Sequence, residues 1–324
     1  MRSSGGGSAL TVLVLGANGF IGSRLVKALL RQGCAVRILT RKSMPSIDTQ
    51  VDVYSGDLTD PALDLDHLIE GCDVIINCAG EIKQERLMHA LHVESVKRLL
   101  AAVARRHRDN KRFRWVQLSS VGAYGPAVGV RRVVTEQSPV NPQGTYEITK
   151  TQADNLISTY PALQGDGADW VVLRPSNVFA KDMPNSSVRQ LGSIIRKKLF
   201  FYVGFKEATA TYIHADDVAA ALVQCAFDQR ASQKVYNLSN DCSLREVVNA
   251  LAKHQGVPAP RMRVPESLVR LAVWLAGKLL RLPLTQGRVD ALVSQTTYPA
   301  DRIKSDLGFV PKKTVPQQIF EVVE

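Results

Sequence analysis

Short apolar runs alternate with amphipathic helical stretches through the first 180 residues of this chain. The runs carry few charges and read TVLVLG, AVRILT, VDVYSGD, DVIINCAG, FRWVQLSS and WVVLRPSNV. Strands that are buried on both faces need such runs, and parallel strands need the crossover helices that separate them. The alternation therefore predicts an α/β fold, a doubly wound parallel sheet of the Rossmann type, over residues 9–180.

A glycine-rich turn, GANGFIG, joins the first apolar run to the helical stretch SRLVKALL. Its glycines permit a tight turn and a close backbone approach, and the N-terminus of the helix offers free N–H groups to an anion. A plain strand-to-helix turn is the simpler alternative. Because a strand precedes the turn and a helix follows it, we predict a pyrophosphate cradle for a dinucleotide, formed by Gly16, Gly19, Phe20, Ile21 and Gly22.

The ends of the next strands add predicted cofactor contacts. Arg41 stands where an acidic residue would bind the ribose of NAD, and an arginine suits a 2′-phosphate. NADP(H) is therefore the preferred cofactor, with NAD(H) as the alternative. Asp57, in GDLTD, is expected to accept from the adenine amino group, although a helix N-cap is the ordinary role of such a residue. Leu58 and Ala79 complete the predicted cofactor contacts.

Beyond residue 180 the sequence changes to loops, basic stretches and short helices. We expect a smaller substrate-binding lobe from 181–210 and 242–324, with 211–241 returning to the dinucleotide-binding domain. Residues 1–8 predict a flexible tail.

Composition and charge exclude several classes of protein. The chain has 324 residues, of which 45% are hydrophobic and 22% charged, which is unlike a disordered chain. Its net charge of +11 favours acidic partners. Five scattered cysteines without a CxxC pair argue against disulfides and metal sites, and fit a cytoplasmic location. The basic run at 105–114 has no accompanying nucleic-acid reader motif, so we expect no nucleic-acid partner.

No stretch reaches the roughly 20 apolar residues that a membrane-spanning helix needs. The nearest is SLVRLAVWLAGKLLRL at 267–282, which Arg270, Lys278 and Arg281 interrupt. We interpret it as a packing helix, with contact to an anionic bilayer surface as the alternative.

A tyrosine and a lysine stand four residues apart twice, as Tyr146 and Lys150 in TYEITK and as Tyr202 and Lys206 in YVGFK. On a helix this spacing brings the lysine cation near the phenol, where it would lower a tyrosine pKa of about 10. Gly204 discourages a helix in the second copy, so YVGFK is interpreted as a loop or strand turn. The first copy is the predicted site.

Five motifs in order resemble the extended short-chain dehydrogenase/reductase family of nucleotide-sugar epimerases, dehydratases and ketoreductases. GANGFIG is similar to its GxxGxxG loop, LSSVGAYG at 118–125 to its serine motif, and TYEITK to its YxxxK motif. LRPSNV and YIHADDVAAAL resemble two further signatures, and the similarity runs from about Leu10 to the closing DLGFVP. Ser120 lies 26 residues before Tyr146, close to the family spacing.

The resemblance implies that Ser120, Tyr146 and Lys150 are the catalytic residues. Lys150 would also hold the nicotinamide ribose, while Ser120 would hydrogen-bond the substrate oxygen and Tyr146 would give it a proton as hydride arrives. Asn177, in RPSNV, matches a position near the substrate or its diphosphate. A homodimer through paired helices is common in the family, and 94–103 and 146–157 could supply it.

Three positions depart from the family pattern. His92 replaces the usual asparagine of an NVxGT segment. Ala210 stands where epimerases often carry an arginine for the diphosphate, so that Arg189, Lys206 or Arg288 would have to substitute. Arg41 replaces the acidic residue of NAD-retaining epimerases.

The third departure favours a ketoreductase that draws on NADPH. We therefore expect reduction of a keto group at C4 of a UDP-4-keto-6-deoxy sugar, in the synthesis of surface-polysaccharide precursors. Three alternatives stay open: an NAD-dependent nucleotide-sugar 4-epimerase, a steroid- or flavonoid-type oxidoreductase, and a non-catalytic dinucleotide-binding subunit.

Overall fold

The computed structural model of the chain describes residues 10–41, 51–106, 113–126, 131–165, 168–277 and 285–324. The predicted tail at 1–8, the centre of the basic run at 105–114 and the end of the stretch 267–282 lie outside the described residues.

Seven parallel strands form one sheet in the order β12-β7-β5-β4-β1-β2-β3. These strands are β1 (Thr11–Leu15), β2 (Ala35–Thr40), β3 (Val51–Ser55), β4 (Val74–Asn77), β5 (Phe113–Leu118), β7 (Ala168–Pro175) and β12 (Lys234–Leu238). Eight shorter strands pair in twos outside it: β6 (Arg132–Val133), β8 (Asn177–Phe179), β9 (Tyr202–Val203), β10 (Thr209–Ala210), β11 (Tyr212–His214), β13 (Cys242–Ser243), β14 (Arg263–Val264) and β15 (Thr296–Thr297).

Twelve α-helices occur in the described residues. They are α1 (Gly22–Arg31), α2 (Leu65–Ile69), α3 (Glu85–His89), α4 (Ser95–Arg106), α5 (Thr145–Thr159), α6 (Ser187–Arg196), α7 (Ala215–Phe227), α8 (Leu244–His254), α9 (Glu266–Gly277), α10 (Gln286–Val293), α11 (Asp301–Leu307) and α12 (Val315–Gln318). A π-helical turn, Ala90–Glu94, joins α3 to α4. The described part of the chain also contains four short 3₁₀ turns, one of which is Val121–Tyr124.

The sheet is covered on both faces, which confirms the predicted fold class. One face packs against α1 and α7, and the other against α2, α4 and α5. All six residues of β5 are buried, as a strand between two helical layers requires. The strand order reverses between β1 and β4, and in such sheets ligands bind at this switch point, beyond the carboxyl ends of the strands.

A second core, formed largely by α6, α8, α12 and the short strand β9, lies outside the sheet. The predicted domain boundaries stay a prediction, but one assignment differs in the structure. Helix α11, which the sequence analysis placed in the second lobe, packs through Ile303 and Leu307 into the core on the α1 and α7 face of the sheet. Both side chains are apolar and fully buried, so burial in the sheet core overrides the position of this helix late in the chain.

Two further expectations can be compared with the structure. YVGFK forms the short strand β9 and then a turn in which Gly204 has a φ of 71°, which confirms the non-helical interpretation. All five cysteines are free thiols. Of the helices that the structure describes, none is both long and apolar enough to cross a bilayer.

Candidate active site

The glycine loop between β1 and α1 forms a cradle that only glycines can make. Gly16 has a φ of 77°, and a Cβ there would come within 2.7 Å of the Ala79 backbone nitrogen at the end of β4. A Cβ on Gly22 would overlap the Gly16 carbonyl oxygen. Gly19 closes the turn, since its N–H donates to the Gly16 carbonyl at 2.9 Å. The loop therefore brings bare backbone to the switch point of the sheet.

The N-terminus of α1 is open at the same place. Ile21 occupies its N-cap position and provides no side-chain cap, and the first turn contains no acidic residue. The Phe20 ring lies 4.8 Å from the Arg24 guanidinium and packs against the core of the second lobe. An uncapped helix end with glycines before it suits a pyrophosphate. These residues thus fit a dinucleotide cofactor.

The end of β2 presents a cation and no carboxylate of its own. Arg41 is 78% exposed, and its guanidinium lies 3.9 Å from the carboxylate of Asp57, which follows β3. The preceding Thr40 is buried and accepts a hydrogen bond from the Asn18 side chain at 2.8 Å. Arg41 can therefore reach a phosphate at this edge without first leaving a strong ion pair.

Asp57 is a turn residue rather than a helix N-cap. Its carboxylate accepts from the N–H and the hydroxyl of Thr59, both at 2.8 Å, whereas the N-cap of α2 is Asp64. The backbone hydrogen bond from Thr59 is the main reason that the pKa of Asp57 is lowered. Leu58 buries its side chain in the core and offers only backbone at the strand end. Adenine contacts for both residues stay a prediction.

Ser120 ends the segment after β5 and caps the 3₁₀ turn that follows. Its Oγ accepts from the Gly122 N–H at 3.0 Å, which leaves the hydroxyl hydrogen available to a ligand. Helix α5 packs against this turn. Glu147 lies directly over Gly122, where an added Cβ would come within 2.7 Å of the Glu147 side chain. Ser120 and Tyr146 therefore lie on two elements that pack against each other.

Tyr146 is half-buried in the first turn of α5, and its ring meets the edge of the His92 ring at a centroid distance of 5.6 Å. His92 is 2% exposed and makes two hydrogen bonds. Its Nε2 accepts from the Glu81 N–H at 2.9 Å, so its Nδ1 carries the proton and donates to the Thr149 hydroxyl at 2.8 Å. His92 therefore ties the loop after β4 to the helix that holds Tyr146.

Lys150 is buried on the next turn of α5, between Asp154 and the Cys78 thiol at the end of β4. Among the described residues, no group accepts a hydrogen bond from its ammonium. Asp154 binds Arg174 at 3.1 Å and accepts from the Ser119 hydroxyl at 2.7 Å, and its other oxygen has no hydrogen-bond partner in the described chain. A buried negative charge thus lies one helical turn beyond Lys150.

Burial is the main influence on the pKa values of Tyr146 and Lys150. It raises the pKa of Tyr146 to about 12, and the negative charges of Glu147 and Asp154 add to the effect. Burial lowers the pKa of Lys150, against the attraction of Asp154. In the chain alone the pKa of Tyr146 is raised, because desolvation of the phenolate dominates. The lowering of this pKa by Lys150 stays a prediction. Tyr146 is a protonated phenol at neutral pH.

The residues predicted to contact the substrate mostly bond to other groups of the protein. Asn177, on β8, donates its side-chain amide to the Thr211 carbonyl at 3.0 Å and thereby pins β8 to β11. Arg189 donates to the backbone carbonyls of Met183 and Asn185, and Arg288 to the Gln190 side chain.

Lys206 differs from those two arginines. It lines a cavity of about 390 Å³ together with Phe205, Glu266 and Ser267. No residue in the described ranges accepts a hydrogen bond from its ammonium. Of the three candidate cations, Lys206 is the one whose charge stays available to an anionic ligand.

Sequence reasoning missed the roles of His92 and Asp154. His92 had drawn attention only as a departure from a family motif, because nothing in the sequence shows that a π turn aims its ring at Thr149. Asp154 had a usable signal, since a carboxylate four residues after a helical lysine lies on the same face.

Comparison with known proteins agrees with this geometry. The model of the NAD dependent epimerase/dehydratase family matches residues 12–239. The chain belongs to that family. It is accordingly an NAD(P)-dependent enzyme of the oxidoreductase or epimerase type, and its cofactor is a nicotinamide dinucleotide, as the sequence analysis predicted.

Two relatives and one solved structure illustrate the similarity. A 4-hydroxy-2-methyl-3-oxo-4-farnesyl-3,4-dihydroquinoline-1-oxide ketoreductase from Stigmatella aurantiaca is 25% identical, with 95% of this chain and 94% of the relative covered. A dTDP-6-deoxy-L-talose 4-dehydrogenase (NAD(P)(+)) from Kitasatospora kifunensis is 28% identical, with 78% and 82% covered. The structure of a UDP-glucuronic acid 4-epimerase from Bacillus cereus with NAD has a TM-score of 0.71 at 18% identity, covering 96% and 97%.

Proposed function

We propose that the chain is an NADP(H)-dependent ketoreductase that reduces the C4 keto group of a UDP-4-keto-6-deoxy sugar, in the cytoplasmic synthesis of surface-polysaccharide precursors. The observation that carries this proposal is the arrangement of the half-buried phenol of Tyr146 and the hydroxyl of Ser120 on packed elements, with Lys150 buried beside the end of β4. The Kitasatospora relative is named for a reaction at the same carbon of a nucleotide-linked 6-deoxy sugar.

The chain's own groups suit the reductive direction. Because burial holds the pKa of Tyr146 at about 12, the phenol keeps its proton at neutral pH and can give it to a carbonyl oxygen. The Ser120 hydroxyl, whose oxygen already accepts from Gly122, donates to the same oxygen and stabilises the charge that develops there.

The remaining groups orient the reactants. The Gly16–Gly22 loop and the open end of α1 would hold the pyrophosphate of the cofactor, Arg41 its 2′-phosphate, and Lys150 its nicotinamide ribose. The bound nicotinamide supplies the hydride. Lys206, with its ammonium available in the cavity beside Phe205, would bind the diphosphate of the substrate in place of the arginine that Ala210 replaces.

The test mixes purified protein with NADPH and a UDP-4-keto-6-deoxy-N-acetylhexosamine and follows the nicotinamide absorbance. We expect stoichiometric loss of NADPH, with NADH a much poorer donor. A second assay offers a UDP-N-acetylhexosamine with a C4 hydroxyl together with NAD⁺. Interconversion of its two C4 epimers without net formation of NADH, and no loss of NADPH in the first assay, would identify the epimerase alternative. Full activity in a Tyr146→Phe variant would contradict the mechanism.

A hydrophobic keto compound is the second candidate substrate. Ala210 removes a cation that a diphosphate would use, and the Stigmatella relative is named for a substrate with a farnesyl chain. An assay with a farnesylated quinolone ketone, alongside the sugar nucleotide, separates the two substrates, because the Lys206→Met variant should weaken turnover of the diphosphate substrate alone.

A further inference from the structure

Helix α9 exposes apolar side chains on the side that faces away from the protein. Leu268, Leu271, Trp274 and Leu275 are 57, 51, 55 and 51% exposed, whereas Val269 and Val273 are buried against the second lobe. A surface helix of a globular protein normally turns charged residues to the solvent. The outer side of α9 is therefore built to be covered by something apolar.

The segment that pairs with the strand before α9 also exposes apolar side chains. Strand β14, just before α9, pairs with β9, and this pairing holds residues 199–206 beside the start of the helix. Three more large apolar side chains in these two segments are more than half exposed. The exposed apolar side chains of α9 and of these two segments are together called the α9 surface; they are Leu199, Phe205, Met262, Leu268, Leu271, Trp274 and Leu275.

Positive charge is concentrated in the same two segments of the sequence. Residues 196–206 and 261–282 contain nine basic residues and one acidic residue, a net charge of +8 in the sequence. Two of these cations are paired in the structure, Arg263 with Glu207 and Arg270 with Glu266 and Asp290. The basic residues are Arg196, Lys197, Lys198, Lys206, Arg261, Arg263, Arg270, Lys278 and Arg281. Of these, Lys278 and Arg281 lie outside the described residues and enter the count from the sequence alone.

Leucines and aromatic rings among lysines and arginines are the chemistry of an interfacial helix. Such a helix buries its apolar side at the boundary between headgroups and acyl chains, while its cations meet anionic headgroups. A second copy of the chain is a poorer occupant, because pairing through this surface would bring two strongly basic regions together. The described helices include none that could span the bilayer, so α9 would lie in its plane.

We propose that the α9 surface docks the enzyme on an anionic lipid bilayer. This inference goes beyond the proposed reaction and does not depend on which ketone is reduced. It follows from the exposed apolar side of α9, the exposed side chains of Phe205 and Met262, and the basic charge of both segments.

The chain contains an internal probe for this contact. Of its three tryptophans, Trp115 and Trp170 are buried, so a change in emission on binding reports on Trp274. We expect a blue shift with vesicles of phosphatidylcholine and phosphatidylglycerol, and quenching when the acyl chains are brominated. Pure phosphatidylcholine should bind much less, and high salt should release the protein.

The variant Leu271→Glu/Leu275→Glu should weaken binding to phosphatidylglycerol vesicles about tenfold or more in a flotation assay, because charges replace side chains at the acyl boundary. The matched control is Val133→Glu/Val310→Glu, which adds the same two charges at equally exposed apolar residues outside the α9 surface. The control should float like the wild type. Thermal unfolding and NADPH binding of all three proteins exclude a folding defect.

Three outcomes would overturn the proposal. The first is no flotation of the wild type with phosphatidylglycerol vesicles at low salt. The second is equal flotation of the α9 variant and the wild type. The third is a concentration-dependent dimer, or a complex with an acidic protein, that Leu271→Glu abolishes while lipid binding is unchanged. Loss of ketoreductase activity would leave all of these readouts intact, so the two proposals can fail separately.

Discussion

TYEITK and YVGFK contain the same tyrosine–lysine spacing and share almost nothing else in the folded protein. Tyr146 and Lys150 lie on consecutive turns of α5, and the lysine is buried beside the end of β4. Tyr202 is a buried strand residue, and Lys206 lies exposed after the turn at Gly204. The spacing therefore acquires a chemical meaning only from the secondary structure and the sheet edge around it.

The sharpest test of this comparison removes the tyrosine hydroxyl group from each copy in turn. Tyr146→Phe should lower kcat about 10²- to 10⁴-fold, because the proton donor is lost. Tyr202→Phe should leave kcat unchanged and keep or slightly raise the melting temperature, since its buried hydroxyl has no hydrogen-bond partner among the described residues. Steady-state kinetics and thermal unfolding of both variants decide the matter. Similar kinetic losses in both would break the comparison.

Substitutions of the two lysines should change different kinetic constants, and by different amounts. Lys150→Met should lower kcat/KM about 10²-fold while the fold is retained, because Asp154 keeps Arg174 as its partner. Lys206→Met should raise the KM of a diphosphate substrate about tenfold at unchanged kcat, the pattern of a group that binds substrate and transition state equally. A lowered kcat in the Lys206 variant would contradict the assignment.

Of the two copies, only TYEITK lies at the edge of the sheet where we predict that the cofactor binds. Arg41→Ala should raise the KM for NADPH about tenfold and leave the KM for NADH nearly unchanged, because the 2′-phosphate loses its cation. Arg31→Ala, at the far end of α1, serves as a control for the loss of one surface charge. Equal changes for both cofactors would argue against NADP(H) preference.

The smallest expected effect on catalysis concerns His92, which only the first copy has as a neighbour. Burial lowers the pKa of His92 to about 3, below its ordinary value of 6.5. The unfolded chain therefore binds a proton that the folded chain does not, and stability is lost as the pH falls from 6.5 towards 3, by at most about 1.4 kcal/mol per pH unit.

His92→Asn should make the free energy of unfolding less dependent on pH over that range, with less than a tenfold fall in kcat. His89→Asn, an exposed residue of the same helical run, should keep the slope of the wild type. Urea unfolding at several pH values provides the measurement. An unchanged slope in the His92 variant would mean that the acid sensitivity comes from other groups, such as His214, whose pKa burial also lowers.

Sequence reasoning was strongest where periodicity and burial agree. Six of the seven strands of the sheet were predictable, because parallel strands between helical layers are continuous apolar runs, as in β4 and β5. Strand β12, at the edge of the sheet, was not predicted. The two-residue strands β9 and β14 carry no such pattern, since pairing between distant segments defines them. The same holds for α11, whose place in the sheet core depends on contacts that no local pattern encodes.

In the candidate site, motif residues were predictable and their electrostatics were not. The positions of Ser120, Tyr146 and Lys150 follow from spacing along strands and helices. The high pKa of Tyr146 depends first on burial and then on the charges of Glu147 and Asp154, and the burial is apparent only from the three-dimensional packing. Their catalytic roles stay predictions until the variants are measured.

The π turn at Ala90–Glu94 sets a length requirement on the helical run that contains it. A π-helical turn contains one residue more than an α-helical turn, so it is equivalent to an insertion of one residue within the helix. Deleting one residue between Ala90 and Glu94 would restore α-helical phase and rotate every earlier side chain by about 100° relative to α4. The run would gain regularity, and the imidazole would no longer point at both Glu81 and Thr149. A more regular helix would thus be a worse support for the phenol.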